Sequence, residues 1–313
     1  MSLTVNGLSK KYGEKTVVDN LSFEIKEPGV YALLGTNGAG KTTSIRMILG
    51  MLASNSGEVI WKGEPLDAVK CNVGYLAEER GLYPKYTLMD QLVYFARLRG
   101  VSKSDALDRI KYWSDRFEVN EYIYPEKNAK GKKIPMKKPE QLSKGNQQKI
   151  QLISALLSDP ELLILDEPLS GLDPVNTDLF KSVIYEQIEK KKYLIMSSHQ
   201  MPTIEEFCTD ITILNKSKTV LQGNLNEIKK SYGRVNLFVK CESDIKALIK
   251  ECGITLVNQK ESEYVLKVTG EEQANNLLSK MIEKKIMIIR FELREPSLHE
   301  IFVEKVGGDS EEK

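Results

Sequence analysis

Gly35-Thr36-Asn37-Gly38-Ala39-Gly40-Lys41-Thr42-Thr43 follows the apolar run Val30-Tyr31-Ala32-Leu33-Leu34 and precedes a helical pattern that begins near Thr42. The order is strand, loop, helix, and the spacing fits a phosphate-binding loop, GxxxxGK[ST]. Glycines let successive backbone N–H groups turn toward one point, and the positive N-terminal end of the next helix adds to them. A triphosphate is the natural occupant. Lys41 reaches its outer phosphates, the Thr42 hydroxyl holds Mg²⁺, and Gly38 and Gly40 permit close approach of the backbone. At average composition the pattern arises by chance in a chain of this length on the order of once in a hundred. A glycine-rich turn without a ligand is therefore the weaker reading.

The chain has 313 residues, which at about 150 residues per domain predicts two domains. A composition shift near Tyr232 divides them into residues 1–232 and 233–313. Net charge +1, 41% hydrophobic and 28% charged residues are those of a soluble globular protein. They give no global attraction to nucleic acid or anionic lipid, so no nucleic-acid partner is expected. Cys71, Cys208, Cys241 and Cys252 lack CxxC spacing. They read as reduced thiols of a cytosolic protein rather than a disulfide frame or a zinc site. No segment approaches about 18 uninterrupted apolar residues, and the N-terminal MSLTVNGLSKKYG lacks the apolar core of a signal peptide. A role at a membrane thus needs another protein to span it.

Leu3, Val5 and Leu8, then Leu21, Phe23 and Ile25, alternate with polar residues and predict a small β-structure ahead of the phosphate-loop strand. Tyr12 lies between them, placed either to stack on a planar base or to pack. Strands are expected at Glu58–Trp61 and Cys71–Leu76, with Glu78 in the loop that follows. Leu88–Leu98 and Ser104–Phe117 have helical periodicity, and Tyr124–Pro139 reads as a loop. Its lysines, Lys127, Lys130, Lys132, Lys133, Lys137 and Lys138, suit acidic lipid, a partner, or simple solvation.

Leu142-Ser143-Lys144-Gly145-Asn146 then leads into a helix expected at Gln147–Leu157. Ser143 reads as its N-cap and Gly145 leaves backbone donors open, which makes a second anion site or an ordinary cap. The apolar run Leu162-Leu163-Ile164-Leu165 ends in Asp166-Glu167, and ligands in α/β proteins bind at such strand ends. Beside a phosphate loop, Asp166 is placed to hold Mg²⁺ through water, and Glu167 to take a proton from the attacking water. After Ser170–Pro174, a helix runs to about Lys190. A strand Tyr193–Ser197 then delivers His199, one of two histidines in the chain, where it can donate to a γ-phosphate.

GTNGAGKT, LSKGN, LLILDE, SGLD and His199, in this order, resemble the nucleotide-binding subunit of an ATP-binding cassette (ABC) transporter over roughly Ser2 to Tyr232. The resemblance implies an α/β ABC-type P-loop ATPase domain with a mixed sheet core, an antiparallel β-subdomain and a helical subdomain at about residues 85–158. It implies that residues Gly35 to Thr43 cradle ATP, that Tyr12 stacks on the base, and that Ser143, Gly145 and Asn146 belong to the signature loop. Ser170 to Asp173 become the D-loop and His199 the switch histidine. Lys41, Glu167 and His199 would be catalytic, and Thr42, Glu78 and Asp166 would surround Mg²⁺. In the family two subunits stack head to tail as a dimer, with ATP between one phosphate loop and the other signature loop. The subunit sits on the cytoplasmic face of the membrane beside an integral membrane permease. Other readings of the chain are a cassette ATPase acting on ribosomes or DNA, and a regulatory module without turnover.

Two departures stand out. Lys144 and Asn146 replace a glycine and a glutamine of the usual LSGGQ, and Glu78 falls where the family has a glutamine. Beyond Tyr232, strand Val235–Val239, helix Ile245–Cys252, strands Thr255–Val257 and Tyr264–Val268, helix Gln273–Lys284 and strand Ile286–Glu292 predict a small α+β βαββαβ domain. It resembles the C-terminal extension on cassette subunits of bacterial exporters of the sodium, drug or antimicrobial-peptide type. Ligand sensing and dimer support are both open to it.

Overall fold

The computed structural model describes residues 3–79, 81–124 and 137–307. The chain divides into two compact units, Met1–Gln222 and Gly223–Lys313. The helix Leu225–Tyr232 therefore goes with the second unit, although the composition shift lies after it.

In the first unit the elements run β1 (Leu3–Tyr12), β2 (Lys15–Ile25), β3 (Gly29–Gly35), α1 (Lys41–Ile48), β4 (Ser56–Trp61), β5 (Glu64–Pro65) and β6 (Val73–Leu76). There follow α2 (Leu88–Leu98), α3 (Lys103–Arg116), α4 (Asn120–Ile123), α5 (Lys144–Leu156), β7 (Leu162–Asp166), α6 (Pro174–Glu189), β8 (Tyr193–Ser198), α7 (Met201–Glu205), β9 (Asp210–Asn215) and β10 (Lys218–Asn224).

Six strands form the main sheet in the order β10-β9-β3-β8-β7-β6. From β9 to β6 every pairing is parallel. Strands covered on both faces need continuous apolar runs, and β7 is buried along its whole length. Lys216 and Ser217, both left-handed at φ 45° and 73°, make the tight turn into β10. A second, antiparallel sheet, β2-β1-β4-β5, supplies the expected β-subdomain. Its inward residues Leu3, Val5, Leu21 and Phe23 share one core with Ile45 and Ile48 of α1 and Tyr31 of β3, and Phe23 stacks on Tyr31 at 4.4 Å.

The helical layer follows the expected periodicity. α2 buries Leu88, Leu92 and Ala96, and α3 buries Ala106, Ile110 and Trp113. Each fully buried large side chain is worth about 1.5–3 kcal/mol, which anchors α3 to α6 through the Trp113, Phe117 and Phe180 rings. Thr87 and Ser102 cap the two helices by accepting from Asp90 N and Asp105 N. Within the lysine-rich stretch, residues 125–136, and with them Lys127, Lys130, Lys132 and Lys133, lie outside the described residues. One helix boundary is corrected: α5 begins at Lys144, not Gln147, because Ser143 accepts from Asn146 N at 3.2 Å and draws Lys144, Gly145 and Asn146 into the first turn. Glycine and asparagine are poor helix formers, which hid that turn from a periodicity reading.

The second unit contains α8 (Leu225–Tyr232), β11 (Asn236–Cys241), α9 (Lys246–Glu251), β12 (Thr255–Lys260), β13 (Glu263–Lys267), α10 (Glu271–Glu283), β14 (Ile288–Arg294) and α11 (Leu298–Gly307). Its antiparallel sheet has the order β12-β13-β11-β14, and Leu237, Val239, Leu266, Leu277 and Met281 lie in its core. The last strand starts two residues later than the apolar run suggests. Lys285 turns left-handed at φ 53° and Ile286 N donates to Met281 O, so Ile286 finishes α10 instead of opening β14. None of the four cysteines forms a disulfide.

Candidate functional site

β3, β8 and β7 are adjacent and parallel, so the segments leaving their C-terminal ends converge. These are the phosphate loop after β3, His199 after β8, and Asp166-Glu167 at the end of β7. Loop shape depends on two glycines. A Cβ on Gly35 would lie 2.4 Å from Leu214 O, and one on Gly40, at φ 108°, would lie 2.6 Å from Val17 O. α1 starts at Gly40 without a side-chain cap, leaving the N–H groups of its first turn open to an anion. Tyr12 ends β1 opposite Lys15 of β2, with its ring 54% exposed and Lys10 Nζ 5.2 Å from the ring centre.

Lys41 is 6% exposed and turned into the loop, donating to Gly35 O at 2.8 Å and Thr36 O at 3.3 Å. Its Nζ also lies 3.3 Å from Glu167 Oε1 as an ion pair, but without hydrogen-bond alignment. Glu167 adopts the left-handed backbone, φ 49°, and its other oxygen, Oε2, is 2.9 Å from His199 Nδ1. Buried beside it, Asp166 has its carboxyl pushed above the usual carboxylate range, chiefly by burial. A hydrogen bond from Ser197, the Thr42 hydroxyl and the Lys41 cation pull the other way. Ser197 Oγ donates to Asp166 Oδ1 and accepts from Glu167 N at 2.9 Å. Gln148 of α5 donates to Pro168 O at 3.0 Å, tying the helical layer to the same turn.

Asp166 Oδ2 and Glu167 Oε1 are buried acceptors with no hydrogen bond among the described residues. Unsatisfied buried acceptors cost free energy. Together with the uncapped start of α1 they match what a phosphate group and a divalent cation would supply. The residues present therefore fit nucleotide and Mg²⁺.

The structure thus brings Lys41, Asp166, Glu167 and His199 together. Glu78 is exposed, on a cavity it shares with Glu79, Lys144, Gln147, Gln148 and Gln151. Among the described residues no group of three or more His, Cys, Asp or Glu is disposed to hold a metal. Ser143 is exposed and engaged with its own helix, Asn146 donates to Tyr122 at 3.1 Å, and Lys144 lies along Gly171. Sequence reasoning missed Ser197 and Gln148. The only signal for Ser197 was a polar residue ending the apolar strand Tyr193–Met196, two positions before His199.

The sequence pattern of the family described as ABC transporter matches residues 18–170, and that of the ATP-binding protein DrrA1-3-like C-terminal domain matches 223–306. The chain is 44% identical to the uncharacterized ABC transporter ATP-binding protein YhaQ of Bacillus subtilis, over 98% of this chain and 99% of that one. It is 28% identical to the bacitracin transport ATP-binding protein BcrA of Bacillus licheniformis, over 96% of each. A solved structure described as the ATP-binding subunit of an ABC transporter superposes with a TM-score of 0.65 at 28% identity, covering 74% of this chain and 93% of that one. With fold, site geometry and end-to-end similarity in agreement, this chain belongs to the ATP-binding proteins of the ABC transporter family.

Proposed function

We propose that the chain binds MgATP between the phosphate loop of one copy and the Ser143–Asn146 loop of a second, head to tail, and that hydrolysis drives export of a solute through a separate membrane permease. The observation that carries the reading is the convergence of Lys41, Asp166, Glu167 and His199 at three adjacent strand ends, with two buried carboxylate oxygens that accept no hydrogen bond among the described residues. Gly35 to Thr43 hold the phosphates through backbone N–H groups, and Lys41 moves from the carbonyls of Gly35 and Thr36 to the outer phosphates. Thr42 and Asp166 are the residues that would hold Mg²⁺, which neutralises charge on the phosphates.

Glu167 takes a proton from the attacking water, and His199, at 2.9 Å from its carboxylate, fixes that carboxylate and meets the γ-phosphate. Tyr12 offers its exposed ring to the base. Residues 1–222 then form the ATPase domain, with the helical subdomain at about 85–158, and residues 223–313 an accessory domain.

No described helix is long and apolar enough to cross a membrane; in this reading, which rests on the transporter family, the permease does the spanning and this subunit rests on its cytoplasmic face. Similarity to the bacitracin transport protein over almost the whole length supports cargo of the antimicrobial-peptide or drug type. Purification in mild detergent should yield an integral membrane protein together with this chain, and the pair should hydrolyse ATP. Recovery with ribosomes or DNA and no membrane protein would overturn the export reading.

A further inference from the structure

We propose that Ser197 is a positioning residue for hydrolysis, its single hydroxyl setting the Asp166 carboxylate and the Glu167 backbone together from the neighbouring strand. The inference rests on the reading of this site as an ATPase. Ser197 lies on β8 in parallel register with Asp166 of β7, and neither is exposed by more than 1%. A hydroxyl has one proton to donate and lone pairs to accept with. The proton goes to Asp166 Oδ1 and a lone pair takes Glu167 N–H at 2.9 Å.

Two consequences follow from that double contact. With Oδ1 occupied, the carboxylate is held in one orientation, and Oδ2 is the oxygen left buried, without a hydrogen bond among the described residues and open to a cation. With Glu167 N–H occupied, the left-handed turn at φ 49° is held in place. A non-glycine residue persists there only when its surroundings fix it. That turn sends the Glu167 side chain back between Lys41, at 3.3 Å, and His199, at 2.9 Å. Removing the hydroxyl orphans a buried donor and a buried acceptor together, and both belong to the residues that must be aimed. Its neighbour Ser198 makes a different, local contact, accepting from Gln200 N at 2.9 Å.

The test compares Ser197→Val with Ser197→Thr in the full chain. The two side chains have the same shape, and only threonine keeps the hydroxyl. Three quantities are read: kcat and KM for ATP, the Mg²⁺ midpoint for binding a fluorescent ATP analogue, and the thermal midpoint. Ser197→Val should lower kcat by about 10- to 100-fold, with KM within about threefold, and raise the Mg²⁺ midpoint. Ser197→Thr should restore kcat to within about threefold of wild type.

A valine variant that keeps kcat and the Mg²⁺ midpoint while only its thermal midpoint falls would make Ser197 purely structural. Equal losses for valine and threonine at unchanged thermal midpoints would assign the effect to packing, and the proposal would fail. If Ser197→Val does not fold, Ser197→Cys, close in volume but a weak donor, is read in its place by the same criteria. A wild-type protein that hydrolyses no ATP, with or without its permease, breaks the ATPase reading itself and is recognised before any variant is compared.

Discussion

The strand-end cluster and the first turn of α5 carry the two halves of the expected ATP site, yet the structure treats them differently. At the strand ends Lys41, Asp166, Glu167 and Ser197 are all at most 6% exposed and bonded to one another across β3, β7 and β8. Ser143 at the start of α5 is exposed, and among the described residues its side chain accepts from its own helix, at Asn146 N. One half is preorganised inside a single chain, where water exclusion strengthens each charge interaction. The other is a helix N-terminus whose capping side chain, Ser143, faces outward. In the proposed head-to-tail dimer a second molecule would complete that surface, and a two-fold arrangement would complete both sites at once.

The largest effect should come from breaking the preorganised half. Glu167→Gln keeps the shape of the carboxylate but cannot take a proton, so turnover should fall about 10²- to 10⁴-fold with ATP binding intact. Wild-type-like hydrolysis by the purified variant would remove Glu167 from the role of base. Next in size, Lys41→Ala should weaken ATP binding by about 10- to 100-fold, the loss of a charge-assisted contact. Equilibrium binding of ATP checks it, and undiminished affinity would count against the phosphate-loop assignment.

The outward half is tested by mixing. Lys41→Ala and Ser143→Arg proteins, each expected to be inactive alone, should form heterodimers in which one site carries both lesions and the other carries neither. With random exchange about half the dimers are mixed and each has one intact site of two, so activity should recover to at most about a quarter of wild type. Because paired sites sometimes fire only together, ATP-dependent dimer formation by Glu167→Gln versions is measured alongside. Recovery of neither would leave Ser143 an ordinary helix cap.

How much of this was legible follows the same division. The strand-end chemistry was readable because its signals are local: an apolar run long enough to be a buried strand, Leu162–Leu165, stops at two carboxylates, and Lys41 follows a glycine-rich loop. The contacts made by Ser197 were not readable, since they depend on β8 lying beside β7, a fact of sheet order rather than of neighbouring residues. Nor did the sequence announce the left-handed turn at Glu167, a conformation no side chain of that type favours by itself. The first turn of α5 was placed too late because propensity at Gly145 and Asn146 points away from helix, while the Ser143 cap outweighs it. In the second unit the βαββαβ order was plain from periodicity, and its last strand slipped by two residues only because the end of α10 took Ile286.

The smallest expected effect lies between the two halves, at Glu78. It stands in the loop after β6, on a cavity with Gln147, Gln148 and Gln151 of α5, and among the described residues it belongs to no group of three or more His, Cys, Asp or Glu that could hold a metal. A carboxylate and an amide of the same size differ most in how they meet a cation: the first offers two anionic oxygens, the second one neutral oxygen and a donor. If the loop reaches Mg²⁺ once nucleotide is bound, Glu78→Gln should shift the Mg²⁺ midpoint of hydrolysis by about three- to tenfold while leaving ATP affinity nearly unchanged. That result would join Glu78 to the preorganised half through a movement of its loop. Superimposable Mg²⁺ titrations of the two proteins would instead leave Glu78 on the α5 side of the division, a solvent-facing residue between the halves with no contact to the metal.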